Sequence, residues 1–148
     1  DAFYIGGTKC GALCGEAVVF PRGGMPRHFL THAKQHGALL AKGRLLGVQF
    51  DTLFTDDLYG EVGRTAAAAA DELRRILREA GCTFFRESPT NQQFVVLDNA
   101  QVEALAEGVR FSTWEKLGDG RTVIRLVTSW STTPDDLAAL KAALHEVL

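Results

Sequence analysis

The chain has 148 residues, 46% hydrophobic and 23% charged, a composition that supports a folded core and excludes a disordered or fibrous chain. A formal charge of -2, with arginines spread along the sequence, offers no basic field for nucleic acid, and no apolar run reaches the ~18 residues a membrane-spanning helix needs. Three cysteines, Cys10, Cys14 and Cys82, argue against a disulfide framework and point to a soluble protein in a reducing, cytoplasmic compartment.

The sequence opens DAFYIGG, already inside a strand-like run and without an initiator methionine, which reads as a portion of a longer polypeptide. AFYI and EAVVF are short aromatic and β-branched runs bounded by glycine, which predicts two buried strands. Between them lies GGTKCGALCG, with Lys9 among Gly6, Gly7, Gly11 and Gly15. The Walker pattern is absent, because Thr8 precedes the lysine and Cys10 follows it. What remains is a lysine with room for a planar ligand beside it, and a desolvated lysine forms a Schiff base with an aldehyde. The alternative is a solvated lysine in an ordinary glycine turn. Cys10 and Cys14 have C-x-x-x-C spacing without a second ligand pair, so they read as small buried apolar residues rather than a zinc site.

From Pro26 a helical period runs through Phe29, Ala33, Leu39, Leu40 and Leu46, weakened by Gly37, Gly43 and Gly47. His28, His32 and His36 share one face of it, without the glutamate of H-E-x-x-H, and read as a polar helix face. Lys42 and Arg44 in LLAKGRLLG lie within reach of an anion or on a solvated face. A strong helix follows from about Leu58 to Ala80 with a stop at Gly81. TFFRE and QFVVL, separated by SPTN, predict a hairpin or two neighbouring strands. A short helix near NAQVEALAEG precedes VRFSTWEKL, a GDG turn and TVIRLVTSW. Arg125 interrupts that last apolar strand, either as a planar fork for a carboxylate or as a charge facing solvent. Thr133, Pro134, Asp135 and Asp136 open the final helix with cap, early proline and early acids. The element order is α/β leading into α+β.

The runs FYIGGTKCGALCGEAVVF, HGALLAKGRLLGVQFDTLF and IRLVTSWSTTPDDL resemble, in that order, the threonine aldolase and aromatic amino acid β-eliminating lyase family of pyridoxal-phosphate enzymes. GGTKCGALCGEA is the most specific part, and the resemblance extends over essentially the whole chain. It implies an aspartate-aminotransferase type of fold, with residues 1–25 closing a cofactor-binding large domain, 26–57 a connecting helical segment and 58–148 a small α+β domain. By the same resemblance Lys9 holds pyridoxal phosphate as a Schiff base, Thr8 lies near its phosphate, and Arg125 binds the substrate α-carboxylate. Lys42 and Arg44 reach toward the phosphate of a neighbouring subunit, and Asp1 is an acid of structural role.

The implied function is a lyase cleaving a β-hydroxy amino acid to glycine and an aldehyde, as a homodimer or tetramer without metal. This segment by itself is expected to be inactive. The rival activity is β-elimination on an aromatic or cysteine-like amino acid, and the rival of another class is a non-catalytic α/β assembly module.

Overall fold

Phe3, Tyr4 and Ile5 suit extended backbone, and in the computed structural model, which describes residues 2–148, they lie in strand β1 (Phe3–Gly6). Asp1 falls outside the described residues. β1 pairs antiparallel with β2 (Glu16–Val19), Phe3 opposite Val19 and Gly6 opposite Glu16. The strands are not buried as their composition suggests: Tyr4 is 72% and Val18 54% exposed. The reason is that the sheet has only these two strands, and a ribbon of two strands cannot shield its own faces.

The helical period after Pro26 becomes two helices rather than one, α1 (Phe29–Gln35) and α2 (Arg44–Leu53). Gly37 divides them. It adopts φ 69°, and the Gly37 and Ala38 N–H groups donate to the Lys34 and Ala33 carbonyls, which closes the end of α1. Phe29 meets Phe20 edge to face at 5.2 Å and ties α1 to the residue after β2.

α3 (Leu58–Glu79) buries Ala66, Ala70, Leu73, Ile76 and Leu77, a stripe at helical spacing, and stops at Gly81, whose φ is 77°. The chain divides into two compact units, Asp1–Val62 and Gly63–Leu148, at a boundary inside α3.

In the second unit β3 (Thr83–Arg86), β4 (Gln92–Asp98), β5 (Ser112–Lys116) and β6 (Arg121–Val127) form an antiparallel sheet in the order β3-β4-β6-β5. α4 (Asn99–Ala106) follows β4, and α5 (Pro134–Val147) ends the chain. One sheet face is the core: Val95 and Leu97 of β4 and Ile124 and Leu126 of β6 cluster with leucines and isoleucine of α3, α4 and α5. Strand alternation therefore sends Phe94 and Arg125 to the other face. The mixed α/β character read from the sequence is present, with every hairpin of the second unit where the turn residues put it. Among the described residues no helix is long and apolar enough to cross a membrane.

Candidate active site

Lys9 sits at the middle of a 3-10 turn, Thr8–Cys10, closed by the Cys10 and Ala12 N–H groups, which both donate to the Gly7 carbonyl at 2.9 and 3.0 Å. Gly7 is buried, and a Cβ there would meet the Ala12 Cβ at 2.8 Å and the Phe50 ring at 3.4 Å. The glycine is therefore demanded chiefly by Ala12 of the same turn, with the Phe50 ring of α2 in contact beyond it, whereas Gly6 faces open space. Two more bonds hold the turn. The Leu13 N–H donates to Gln49 Oε1 at 2.7 Å, and the Tyr59 hydroxyl donates to the Gly6 carbonyl at 3.1 Å. Tyr59 is itself stacked on Phe54 at 5.1 Å. Burial, and then the neighbouring Cys10 thiol, push the Tyr59 hydroxyl above its ordinary pKa, so it remains protonated and donating.

On this braced turn the Lys9 and Thr8 side chains are exposed, and the Lys9 ammonium makes no hydrogen bond or ion pair among the described residues. Lys9 is thus solvated rather than desolvated among the described residues; what it keeps is a fixed base and an unengaged primary amine, the group that condenses with an aldehyde. Cys14 is exposed and Cys10 half-buried, so the expectation that both are buried apolar residues fails at a turn too short to enclose them.

Lys42 precedes α2 and Arg44 is its first residue. Both line a surface groove of about 690 Å³ with Leu13, Leu45, Val48 and Gln49. The groove begins beside the segment that follows Lys9, but among the described residues no hydrogen bond or ion pair joins Lys42 or Arg44 to Lys9 or Thr8. All four lie in the first unit, and Arg125 lies in the second.

Arg125 occupies a cross-strand row in which Arg86 faces Phe94, Phe94 faces Arg125, and Arg125 faces Ser112. Its Nη1 donates to Gln92 Oε1 at 3.2 Å and its Nη2 to Ser112 Oγ at 3.3 Å, while Nε is buried without a partner. No carboxylate pairs with it among the described residues. A buried, unsatisfied donor costs about 1–3 kcal/mol, and a half-buried guanidinium held by two neutral acceptors has its positive charge uncompensated by any carboxylate among the described residues. Sequence reasoning singled out Arg125 but missed Gln92, Ser112, Trp114 and Arg86, because only the pairing register brings them to it. Tyr59 was missed likewise, since 53 residues separate it from its acceptor.

A lysine on a glycine-bounded turn, followed by a helix-backed antiparallel sheet, recurs in solved structures. The chain superposes on SPT carrying PLP with a TM-score of 0.66 at 16% identity, over 99% of this chain and 40% of that one. With Sphingomonas wittichii serine palmitoyltransferase the TM-score is 0.71 at 14% identity, over 99% and 39% of the two chains. These two likenesses concern the fold.

Similarity to one kind of enzyme goes further. Leishmania major threonine aldolase matches with a TM-score of 0.88 at 36% identity, over 99% of this chain and 43% of that chain. In sequence the whole chain is similar to the low specificity L-threonine aldolases of Pseudomonas aeruginosa, 31% identical over 150 residues, and of a Pseudomonas species, 28% identical. The likeness to threonine aldolases read from the motifs is thus found in sequence and structure alike. The chain spans 42% of the length of those curated relatives, and no protein-family profile matches it.

Proposed function

We propose that this chain is part of a pyridoxal-phosphate-dependent lyase of the threonine-aldolase kind, which cleaves a β-hydroxy amino acid to glycine and an aldehyde. The observation that carries the reading is the free Lys9 amine on its braced turn, in a chain similar over its whole length to threonine aldolases. The residues present fit the cofactor: Lys9 offers an unengaged amine for its aldehyde, Gly6 leaves open space, and Thr8 has an exposed hydroxyl for its phosphate. When bound, pyridoxal phosphate supplies the electron sink that stabilises a carbanion at the substrate Cα.

The chain's own residues then do two things. Lys9 would hold the cofactor through its side-chain amine, at the end of a turn that fixes where that amine stands. Arg125 receives the α-carboxylate on its planar fork, so that one end of the substrate is fixed while the other reacts. Lys42 and Arg44 supply positive charge toward the phosphate of a second copy, which makes the active form a homodimer or tetramer. Residues 1–25 then end the cofactor-binding domain, 26–57 connect, and 58–148 form the small domain. A reducing cytoplasm suits the three free cysteines.

The test is to express the polypeptide as its native gene encodes it, add pyridoxal phosphate and reduce with borohydride. Mass analysis is expected to place a pyridoxyl group on Lys9, and L-threonine to yield glycine and acetaldehyde. Pyruvate and ammonia from an aromatic or cysteine-like amino acid would move the reading to β-elimination. Absence of any covalent cofactor would sink both and favour an assembly module.

A further inference from the structure

Trp114 is half-exposed on β5, an edge strand of five exposed residues, a setting that does not by itself call for an indole. It sits at a register irregularity, since Thr113 faces Ile124 and Glu115 faces Val123, leaving Trp114 without a cross-strand partner. Such a bulge re-aims a side chain. Here the indole meets the Phe94 ring edge to face at 4.9 Å, and the Arg125 guanidinium lies 5.7 Å from its centroid. The guanidinium of Arg86 lies 4.7 Å from the Phe94 ring and 5.8 Å from the Trp114 ring. Phe94, between them in the row, is only 4% exposed.

Arg125 is thus restrained from three sides: Gln92 on β4, Ser112 on β5, and the indole. The two hydrogen bonds leave a guanidinium free to tilt about the line joining them, and an aromatic face beside it removes that freedom. Neither Arg86 nor Arg125 has a carboxylate partner among the described residues, so the patch holds two positive charges. We propose that Trp114 is a positioning residue that holds the Arg125 fork in the plane a carboxylate needs, with Arg86 and Phe94 holding the indole. The inference rests on the reading of Arg125 as carboxylate anchor.

The experiment compares wild type, W114A, W114F and R86A in the cofactor-loaded polypeptide as its native gene encodes it. L-Threonine turnover is measured alongside binding of L-threonine and of 1-amino-2-propanol, which lacks the carboxylate, by the change in cofactor absorbance. W114A is expected to raise the threonine KM and dissociation constant about three- to thirtyfold with kcat little changed, the span of a cation–π contact. The amine's dissociation constant should stay put. W114F should restore most of the loss, and R86A should move threonine binding in the same direction by less.

Weakening of amine and amino acid alike in W114A, or in W114F should the alanine variant not fold, would mean general damage and overturn the proposal. Unchanged threonine binding in W114A and R86A would overturn it as well. A wild type that neither binds nor cleaves threonine removes the lyase reading and this inference with it. A competent wild type beside a neutral W114A removes this inference alone.

Discussion

Lys9 and Arg125 are both cations without a countercharge among the described residues, yet their surroundings differ. Lys9 stands exposed on a rigid turn, so its removal should cost chemistry and not fold. If the proposed lyase reading holds, K9A in the polypeptide as its native gene encodes it is expected to lose the reducible cofactor adduct and nearly all lyase activity while its melting temperature stays within a few degrees of wild type, because surface substitutions usually change stability by no more than about 0.5 kcal/mol. A collapse of the K9A fold would contradict this. Arg125 carries an orphaned buried Nε, so it contributes little to stability. R125M should melt no lower than wild type but raise the threonine KM about tenfold or more, the worth of a hydrogen bond to a charged group. A large fall in melting temperature would instead make Arg125 a structural residue.

Cys82 belongs at this scale too. Burial pushes its thiol above the ordinary value of 9.0, so the neutral form is favoured in the folded state. The stability this contributes is fully present below the unfolded pKa and is lost as pH rises through the raised folded value. The urea midpoint should therefore decline above about pH 9, less steeply in C82A. Cys14, which is exposed, should react with a thiol reagent well before Cys82. Equal labelling rates would show that the Cys82 environment is open in solution.

Among the elements, the helix ends carry the clearest local instructions. Thr133 Oγ1 accepts from the Asp136 N–H at 3.2 Å, while Asp136 Oδ2 accepts from the Thr133 N–H at 2.8 Å, and Pro134 opens the first turn. T133A should cost about 1 kcal/mol by chemical denaturation, with a neutral result meaning that α5 is held by its leucines alone. Gly37 explains why one helical period yields two helices: its φ of 69° is a conformation that residues with a Cβ resist. Replacing it with alanine should destabilise the α1 end by about 1 kcal/mol rather than fuse α1 to α2, which circular dichroism would register as unchanged helix content.

These elements were legible because cap, stop and turn chemistry act within a few residues. The antiparallel pairing of β4 with β6, which brings Gln92 near Arg125, was not. Periodicity says which residues share a face of one strand and is silent about which strand lies beside it.

On the scale of the whole molecule the two units are unequal. The second has a continuous core drawn from three helices and two strands, whereas among the described residues of the first Leu53 is the one buried large hydrophobic. Tyr4, Leu13 and Leu45 there are 72%, 91% and 67% exposed. Exposed apolar area of that kind binds hydrophobic dyes and drives association. The 148-residue chain by itself is expected to enhance the fluorescence of such a dye, and L13E with L45E to diminish it. A wild-type chain without dye uptake would show that this surface is closed in solution.

The amino-acid sequence by itself determined α3, the last helix and the turns of the second unit, the isolated lysine among glycines, and the likeness to threonine aldolases, since each of these is written in neighbouring residues or in their order. Only the tertiary structure decided that Tyr59 braces the Lys9 turn, and that Arg125 stands between Gln92, Ser112 and Trp114 without a countercharge among the described residues. The physical reason is distance along the chain: such contacts join residues from 11 (Trp114 to Arg125, 125 less 114) to 53 positions apart, and pairing register and helix packing, not local propensity, choose them.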